Sequence, residues 1–298
     1  MAEQRQKLVG TNYTTPDLVA KVTGKAKYAE DYRADGMLFI KLLLSPMPHA
    51  RIKSIDTTAA LALPGVKGIL TEADLPGSAA GATLGEGVTA SNISERGLTN
   101  EPLYEGEPIL AVAAVDEFTA AEAIEKIQIE FEPLPFVVDP LDSLHPSGPN
   151  ARTEGNVYYG AVAKTLKWTA ENWKEVEAGR LPMREAPDMW EVGNVEEGFK
   201  QADLIIDETV MCQAASHQCM EPRSSMAYWQ NGKLFLHGST QSVVQTMGSL
   251  ARWTGVDQKD IVLISEYTGG GFGSKIPGAI SMAIPALMSK KLGGVPVM

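Results

Sequence analysis

The residues with the clearest chemical potential lie in Thr268–Lys275, TGGGFGSK, where four glycines fall within five positions after an apolar strand-like run. Glycine adopts positive φ without strain and lets backbone approach a ligand unobstructed. Clustered backbone N–H groups in such a loop form a concavity for phosphate or another anionic group, and a helix beginning downstream reinforces it. Neither common nucleotide motif fits, however. A Walker loop needs Ser or Thr after its lysine, and a Rossmann turn needs Gly three residues beyond Gly273; Ile276 occupies both places. The competing account is purely structural, a tight strand-to-helix turn with Phe272 anchored in the core. Two cysteines, Cys212 and Cys219, are too few for a disulfide framework, lack the paired spacing of a zinc site and are expected as reduced thiols.

The surrounding pattern predicts the elements that must hold this loop. Ser242–Thr254 places Val243, Val244, Met247, Leu250 and Ala251 at helical spacing, with Gly255 to end the helix. Tyr228–Leu236 carries Asn231-Gly232 between apolar arms, the signature of a two-residue hairpin. Strand Ile261–Ser265 precedes the loop and helix Ile280–Leu292 follows it; Val195–Gln201 is expected as a short helix and Leu204–Gln213 as an alternating strand. Nearer the N-terminus, strands are expected at Met37–Leu44, Ala50–Asp56, Val66–Thr71, Ile109–Val115 and Ile127–Phe131. Helices are expected at Thr57–Leu63 and Phe118–Lys126. Gly77–Asn100 is rich in small and polar residues and is expected to be a long surface loop. Pro133, Pro135, Pro140, Pro146 and Pro149 favour extended chain, so a linker is expected from about Leu134. Residues 156–192 hold Trp168, Trp173 and Trp190 with a charged helical segment, Thr169–Gly179; these aromatics pack either on a neighbouring surface or on a partner subunit.

Three short motifs occur in order: Met220-Glu221-Pro222-Arg223, Ser239-Thr240-Gln241 and Gly269–Lys275, GGGFGSK. They resemble the LEPR-type turn, the STQ segment and the GGGFG-x-K signature of the molybdopterin-binding subunits of the xanthine dehydrogenase and aldehyde oxidase family. Upstream, Val22–Tyr28 (VTGKAKY) with Asp31 resembles the family's opening segment, and Ser45-Pro46 through His49-Ala50-Arg51-Ile52 to Ile55-Asp56 resembles its SP-x-AHARI stretch. Pro64-Gly65-Val66, Thr71, Asp74, Tyr104–Pro108 and Leu134-Pro135 continue in register. Essentially the whole chain is covered except about residues 156–190. The resemblance implies an α+β fold, an α/β-hammerhead domain followed by the first part of a molybdopterin-binding domain. The expected organisation is an N-terminal extension at 1–17, the hammerhead at 18–140, a linker with the Trp-rich segment at 141–194 and the incomplete cofactor domain at 195–298.

The resemblance also implies roles. Gln241 would be a donor orienting the metal's ligands, and Gly270, Gly271, Phe272 and Gly273 would line a molybdenum–molybdopterin cofactor, the cytosine dinucleotide form included. The alternative for Gln241 is an exposed residue at a helix N-terminus. The family's catalytic glutamate lies much nearer its C-terminus, so Glu221 is expected to fix local backbone or to pair with Arg223. His49 and His217 are expected to be core or hydrogen-bonded, because the pterin and small ligands hold this metal. Purine-oxidising members carry a substrate-binding glutamate after the loop lysine, where this chain has Ile276. Aldehydes, aromatic heterocycles, aryl thioesters and carbon monoxide stay open as substrates, hydroxylated with water as oxygen source. No iron–sulfur cysteine motif is present, so iron–sulfur clusters and FAD are expected on partner subunits.

The formal net charge is −11, from 37 acidic and 26 basic residues, which gives no footprint for nucleic acid. No apolar run of spanning length or secretory leader occurs, so a cytoplasmic protein with no membrane insertion is expected. The chain reaches Gly293–Met298 in what looks like the start of a strand. It is therefore expected to be part of a longer or split subunit whose remaining C-terminal part carries the catalytic glutamate. The rival expectation is a non-catalytic assembly fragment of such a complex.

Overall fold

The computed structural model describes residues 9–76, 97–146, 157–159, 164–180, 190–206, 208, 210, 212, 215–276 and 280–298. It divides into two compact units, one formed by Met1–Phe136, Tyr158–Lys164 and His217–Met298, the other by Val137–Val157 and Thr165–Ser216.

In the first unit β1 (Phe39–Leu44), β2 (Ala50–Asp56), α2 (Thr58–Leu61), β3 (Val66–Leu70), β4 (Pro108–Ala114), α3 (Glu117–Glu125) and β5 (Gln128–Pro133) follow a short helix α1 (Leu18–Val22). These lie close to the expected spans. β4 is PILAVAA and every residue is buried, as a central strand covered on both faces requires. It pairs antiparallel with β1 on one side and β3 on the other, while β2 and β5 form a separate antiparallel pair. Helix α3 starts where the Asp116 carboxylate accepts the Thr119 N–H at 2.7 Å, satisfying one of the orphan donors of its first turn.

The second unit holds α4 (Pro140–Leu144), α5 (Ala170–Glu177) and α6 (Val195–Gln201), capped by Asp139, Thr169 and Asn194. Between α4 and α5 come two short paired strands, β6 (Val157–Tyr159) and β7 (Lys164–Leu166), of which Tyr158, Tyr159 and Lys164 belong to the first unit. Trp173 meets His145 edge-on at 4.5 Å and lies 6.2 Å from Trp168, so two of the three tryptophans pack within this segment. Trp190 is exposed. The alternating strand expected at Leu204–Gln213 is not formed among the described residues of that stretch. Leu204, Ile205 and Ile206 are all exposed, and alternation specifies a strand only when one face is covered. Residues 77–96 of the expected long loop lie outside the described residues.

The C-terminal part of the first unit carries the site. β8 (Ser225–Gln230) and β9 (Lys233–Gly238) form the expected hairpin, with Asn231 at φ 52° and Gly232 at φ 76° as a primed turn demands. Helix α7 (Val243–Thr254) crosses over to β10 (Ile261–Ile264), which lies parallel to β9; Gly255, at φ 67°, ends the helix. Helix α8 (Ile280–Lys291) packs on β8 and contains Pro285. A proline there cannot bond the carbonyl four residues back, and the freed Ser281 oxygen accepts Ser225 Oγ–H at 2.7 Å instead.

Residues 296–298 join the two three-stranded sheets. Val297 N–H and C=O bond Ala227 on β8, while Pro296 O and Met298 O accept the N–H groups of Leu38 and Ile40 on the β1 side. Val297 is fully buried in a core cluster with Leu38, Ala113, Ile284 and Leu287. Among the described residues no helix is long and apolar enough to cross a membrane.

Candidate functional site

The glycine loop leaves β10 and turns back over the segment that joins β9 to α7. Three residues of that segment, Ser239, Thr240 and Gln241, hold it. Gln241 N–H donates to Lys275 O at 2.8 Å, and Thr240 Oγ–H donates to the same oxygen at 2.9 Å. The Gln241 side chain folds under the loop, where Oε1 accepts the N–H groups of Gly273 at 2.9 Å and Lys275 at 3.2 Å. This assigns the amide, since only an oxygen accepts from two backbone donors. The Nε2 group keeps its two N–H donors with no protein acceptor among the described residues. A Cβ on Gly271 would stand 2.2 Å from Gln241 Oε1, so this glycine is required by close approach.

The remaining loop donors point to the same conclusion. The N–H groups of Gly270, Gly271 and Phe272 have no acceptor among the described residues, whereas those of Gly269, Gly273, Ser274 and Lys275 are all bonded. Gly270, Phe272 and Gly273 stand at φ 106°, 51° and 100°. A non-glycine residue at positive φ is uncommon, and Phe272 holds that conformation with its ring 72% exposed. The purely structural alternative, with Phe272 anchored in the core, is therefore excluded: Phe272 stands exposed at the tight turn.

Beneath the loop lies a buried ion pair. Lys275 Nζ donates to Glu221 Oε2 at 2.9 Å, to Glu221 O at 2.8 Å and to Ser239 Oγ at 3.1 Å, which uses all three ammonium protons. Glu221 Oε2 also accepts Gly269 N–H at 2.7 Å and Ser239 Oγ–H at 2.5 Å, and Oε1 accepts Ala29 N–H at 3.1 Å. Burial pushes this carboxyl up, but the bonds from Ser239, Ala29, Lys275 and Gly269 outweigh it and hold it below the usual glutamate range. Glu221 thus fixes backbone, as expected, but its charged partner is Lys275; Arg223 instead donates to Ser274 O. Sequence proximity suggested the wrong cation, and nothing local in the sequence marks Lys275 as buried.

His49 is buried, with Nδ1 2.6 Å from Pro135 O, away from the loop. His217 is exposed and would lie 3.8 Å from a Cβ on Gly273. Both cysteines are free thiols, and Cys219 Sγ lies 4.0 Å from Ser274 Oγ.

Unbonded backbone donors at half-buried Gly270 and exposed Phe272, an oriented amide N–H2 and an outward aromatic ring on a buried ionic base fit an anionic cofactor. Family models agree in kind. Residues 23–135 match the hammerhead domain of aldehyde oxidase and xanthine dehydrogenase, and residues 180–298 match the molybdopterin cofactor-binding domain. The chain belongs to the aldehyde oxidase and xanthine dehydrogenase family, over its hammerhead and cofactor-binding regions. It is 31% identical to the carbon monoxide dehydrogenase large chain of Afipia carboxidovorans over 99% of its own length and 35% of that protein. It is 28% identical to the xanthine dehydrogenase molybdenum-binding subunit of Escherichia coli, over 94% of this chain and 34% of that one. The structure of quinoline 2-oxidoreductase from Pseudomonas putida superposes with a TM-score of 0.73 at 25% identity, covering 98% of this chain and 34% of the other. The chain spans about a third of the length of these relatives.

Proposed function

We infer that residues 217–276 form one wall of the cofactor site in the molybdopterin-binding subunit of a molybdenum hydroxylase. The observation that carries this is the fixed Gln241 amide. With Oε1 held by two loop N–H groups, Nε2 is available only as a donor, as orientation of a metal's ligands requires. Gly270, Gly271, Phe272 and Gly273 line the cofactor, with Gly270 and Phe272 offering N–H groups to it. When bound, the cofactor supplies the redox centre for hydroxylation with water as oxygen source, in the simple or cytosine dinucleotide form.

The protein's own part at this wall is binding and orientation. Glu221 is unsuited to act as a base, because both its oxygens already accept hydrogen bonds and its lowered pKa leaves it little affinity for a further proton. The family resemblance implies a catalytic glutamate nearer the C-terminus of the longer relatives, and the base is proposed to be supplied from there. Ile276 offers no acceptor or charge to a purine, so an aldehyde, an aromatic heterocycle or a similar small molecule is the favoured substrate. Iron–sulfur clusters and FAD on partner subunits, in the cytoplasm, would take up the electrons. A nucleotide-binding reading of the loop is disfavoured, since the Lys275 ammonium has no proton left for phosphate.

The test is metal analysis and ultraviolet–visible spectroscopy of the full subunit purified with its partner subunits. Stoichiometric molybdenum and pterin are expected, with oxidation of aldehydes or N-heterocycles exceeding that of hypoxanthine. A complex without molybdenum and pterin would favour the assembly-module reading and sink this one.

A further inference from the structure

Lys275 is bonded at both ends, and the two ends serve different groups. Its side chain is buried, with the ammonium on Glu221 and Ser239, while its backbone clamps Gln241 from both sides. Lys275 N–H donates to Gln241 Oε1 and Lys275 O accepts Gln241 N–H. Glu221 in turn ties together Ala29, Ser239, Gly269 and Lys275, which are far apart in sequence.

We propose that the Glu221–Lys275 pair is a positioning device for the cofactor wall: it acts through Gln241, fixing which face of that amide is presented, and makes no contact with the cofactor itself. This rests on the reading of Gln241 as a cofactor-facing donor. The physical argument is one of alternatives. An exposed glutamine rotates freely about its terminal torsion and exchanges its donor and acceptor ends at little cost. Here the acceptor end is held by two N–H groups whose own positions depend on the loop closing over residue 275. Removing the anchor beneath Lys275 frees its main chain, and with it the Gln241 amide. A buried pair is poor evidence of stability alone, but it is suited to fixing one arrangement among several.

The experiment is a double-mutant cycle in the full complex, using Glu221→Gln, Lys275→Met and Gln241→Ala singly and in pairs. The readouts are molybdenum retained per subunit after dialysis and the Mo(V) electron paramagnetic resonance signal after dithionite reduction. Each single variant is expected to lower retention roughly tenfold. Glu221→Gln and Lys275→Met are also expected to shift the Mo(V) signal in the same sense as Gln241→Ala. In the Gln241→Ala background either further change should add less than about twofold, because coupled residues are not additive. Lys275→Arg should restore part of the signal. If Lys275→Met fails to accumulate, Ser239→Ala removes one ammonium acceptor and is judged by the same criteria. Multiplying effects, or a wild-type Mo(V) signal in Glu221→Gln, overturn the positioning role. A wild-type complex lacking molybdenum and pterin overturns the underlying cofactor reading as well, so the two failures are distinguishable.

Discussion

Gly271 lies directly on the carboxamide of Gln241: a Cβ built there would be 2.2 Å from Oε1, 2.4 Å from Cδ and 2.6 Å from Cγ. The two cannot both stay in place if residue 271 gains a side chain. Gly271→Ala is expected to cost about 1–3 kcal/mol by overpacking and to displace the Gln241 amide. Gly248, in helix α7, is the control, since its Cβ would meet only Gln258 Nε2 at 3.7 Å. Gly248→Ala should instead stabilise by about 0.5–1 kcal/mol. Urea denaturation of both variants checks the pair of signs; equal destabilisation would sink the contact argument.

The Lys275–Glu221 pair should dominate the ionic contribution to stability. Both side chains are almost fully buried, so Lys275→Met strands a carboxylate that retains only neutral donors. A loss of about 3–5 kcal/mol is expected on denaturant titration. Lys259 and Asp257, also paired, are both exposed, and Lys259→Met should leave the denaturation midpoint unchanged.

The contrast between these pairs shows what sequence could and could not reveal. Asn231-Gly232, Gly255 and the run of glycines from 269 to 273 have local meanings, a primed turn, a helix stop and a permissive loop, and the structure places each accordingly. The resemblance in Ser239-Thr240-Gln241 likewise led to the residue under the loop. Partners distant in sequence were not legible. For Glu221 the sequence offers backbone or the neighbouring Arg223 as partners; it does bond backbone, at Ala29 and Gly269, but its cation is Lys275. Leu204–Gln213 has a strand's period, yet no strand forms among its described residues, and period alone says nothing of a partner. Of the two readings open for Phe272, cofactor lining and core anchor, its exposure excludes the second, and the positive φ behind that exposure is not visible in residue type alone.

Stability should fall in two stages on acidification. Burial holds His237 below the ordinary histidine value of 6.5, with Glu266 partly opposing, and Glu221 lies below the ordinary glutamate value of 4.5. In both cases the unfolded chain takes up the proton first, so stability is lost as pH falls from the ordinary value through the folded one. The first loss begins below about 6.5 and the second below about 4.5. His237→Phe should flatten the upper stage, and Glu221→Gln should reduce the lower one, to which Asp74 and other lowered carboxylates also contribute, in melting curves taken against pH. An upper stage that persists in His237→Phe would assign it to another group.

Continuity of the sheet through residue 297 makes a final prediction. Val297 has β1 on one side and β8 on the other, and its side chain is completely enclosed among Leu38, Ile284 and Leu287. Val297→Ala removes about two methylene equivalents and leaves a cavity, a cost of about 2 kcal/mol. Val297→Asp buries a charge among apolar side chains and should cost on the order of 4 kcal/mol. Separating the two sheets would also bare the inner edges of β1 and β8, and unpaired edges associate with other chains. The aspartate variant should therefore lose thermal stability and elute as aggregates on size exclusion, while the alanine variant stays unaggregated. Gly294→Ala tests the same junction independently: Gly294 stands at φ 96°, and a Cβ would fall 2.9 Å from the Trp229 carbonyl oxygen, a backbone atom that cannot swing aside. If the sheet is continuous here, Gly294→Ala and Val297→Asp should both aggregate, whereas Gly293→Ala, with positive φ but open space around it, should show only the smaller backbone penalty.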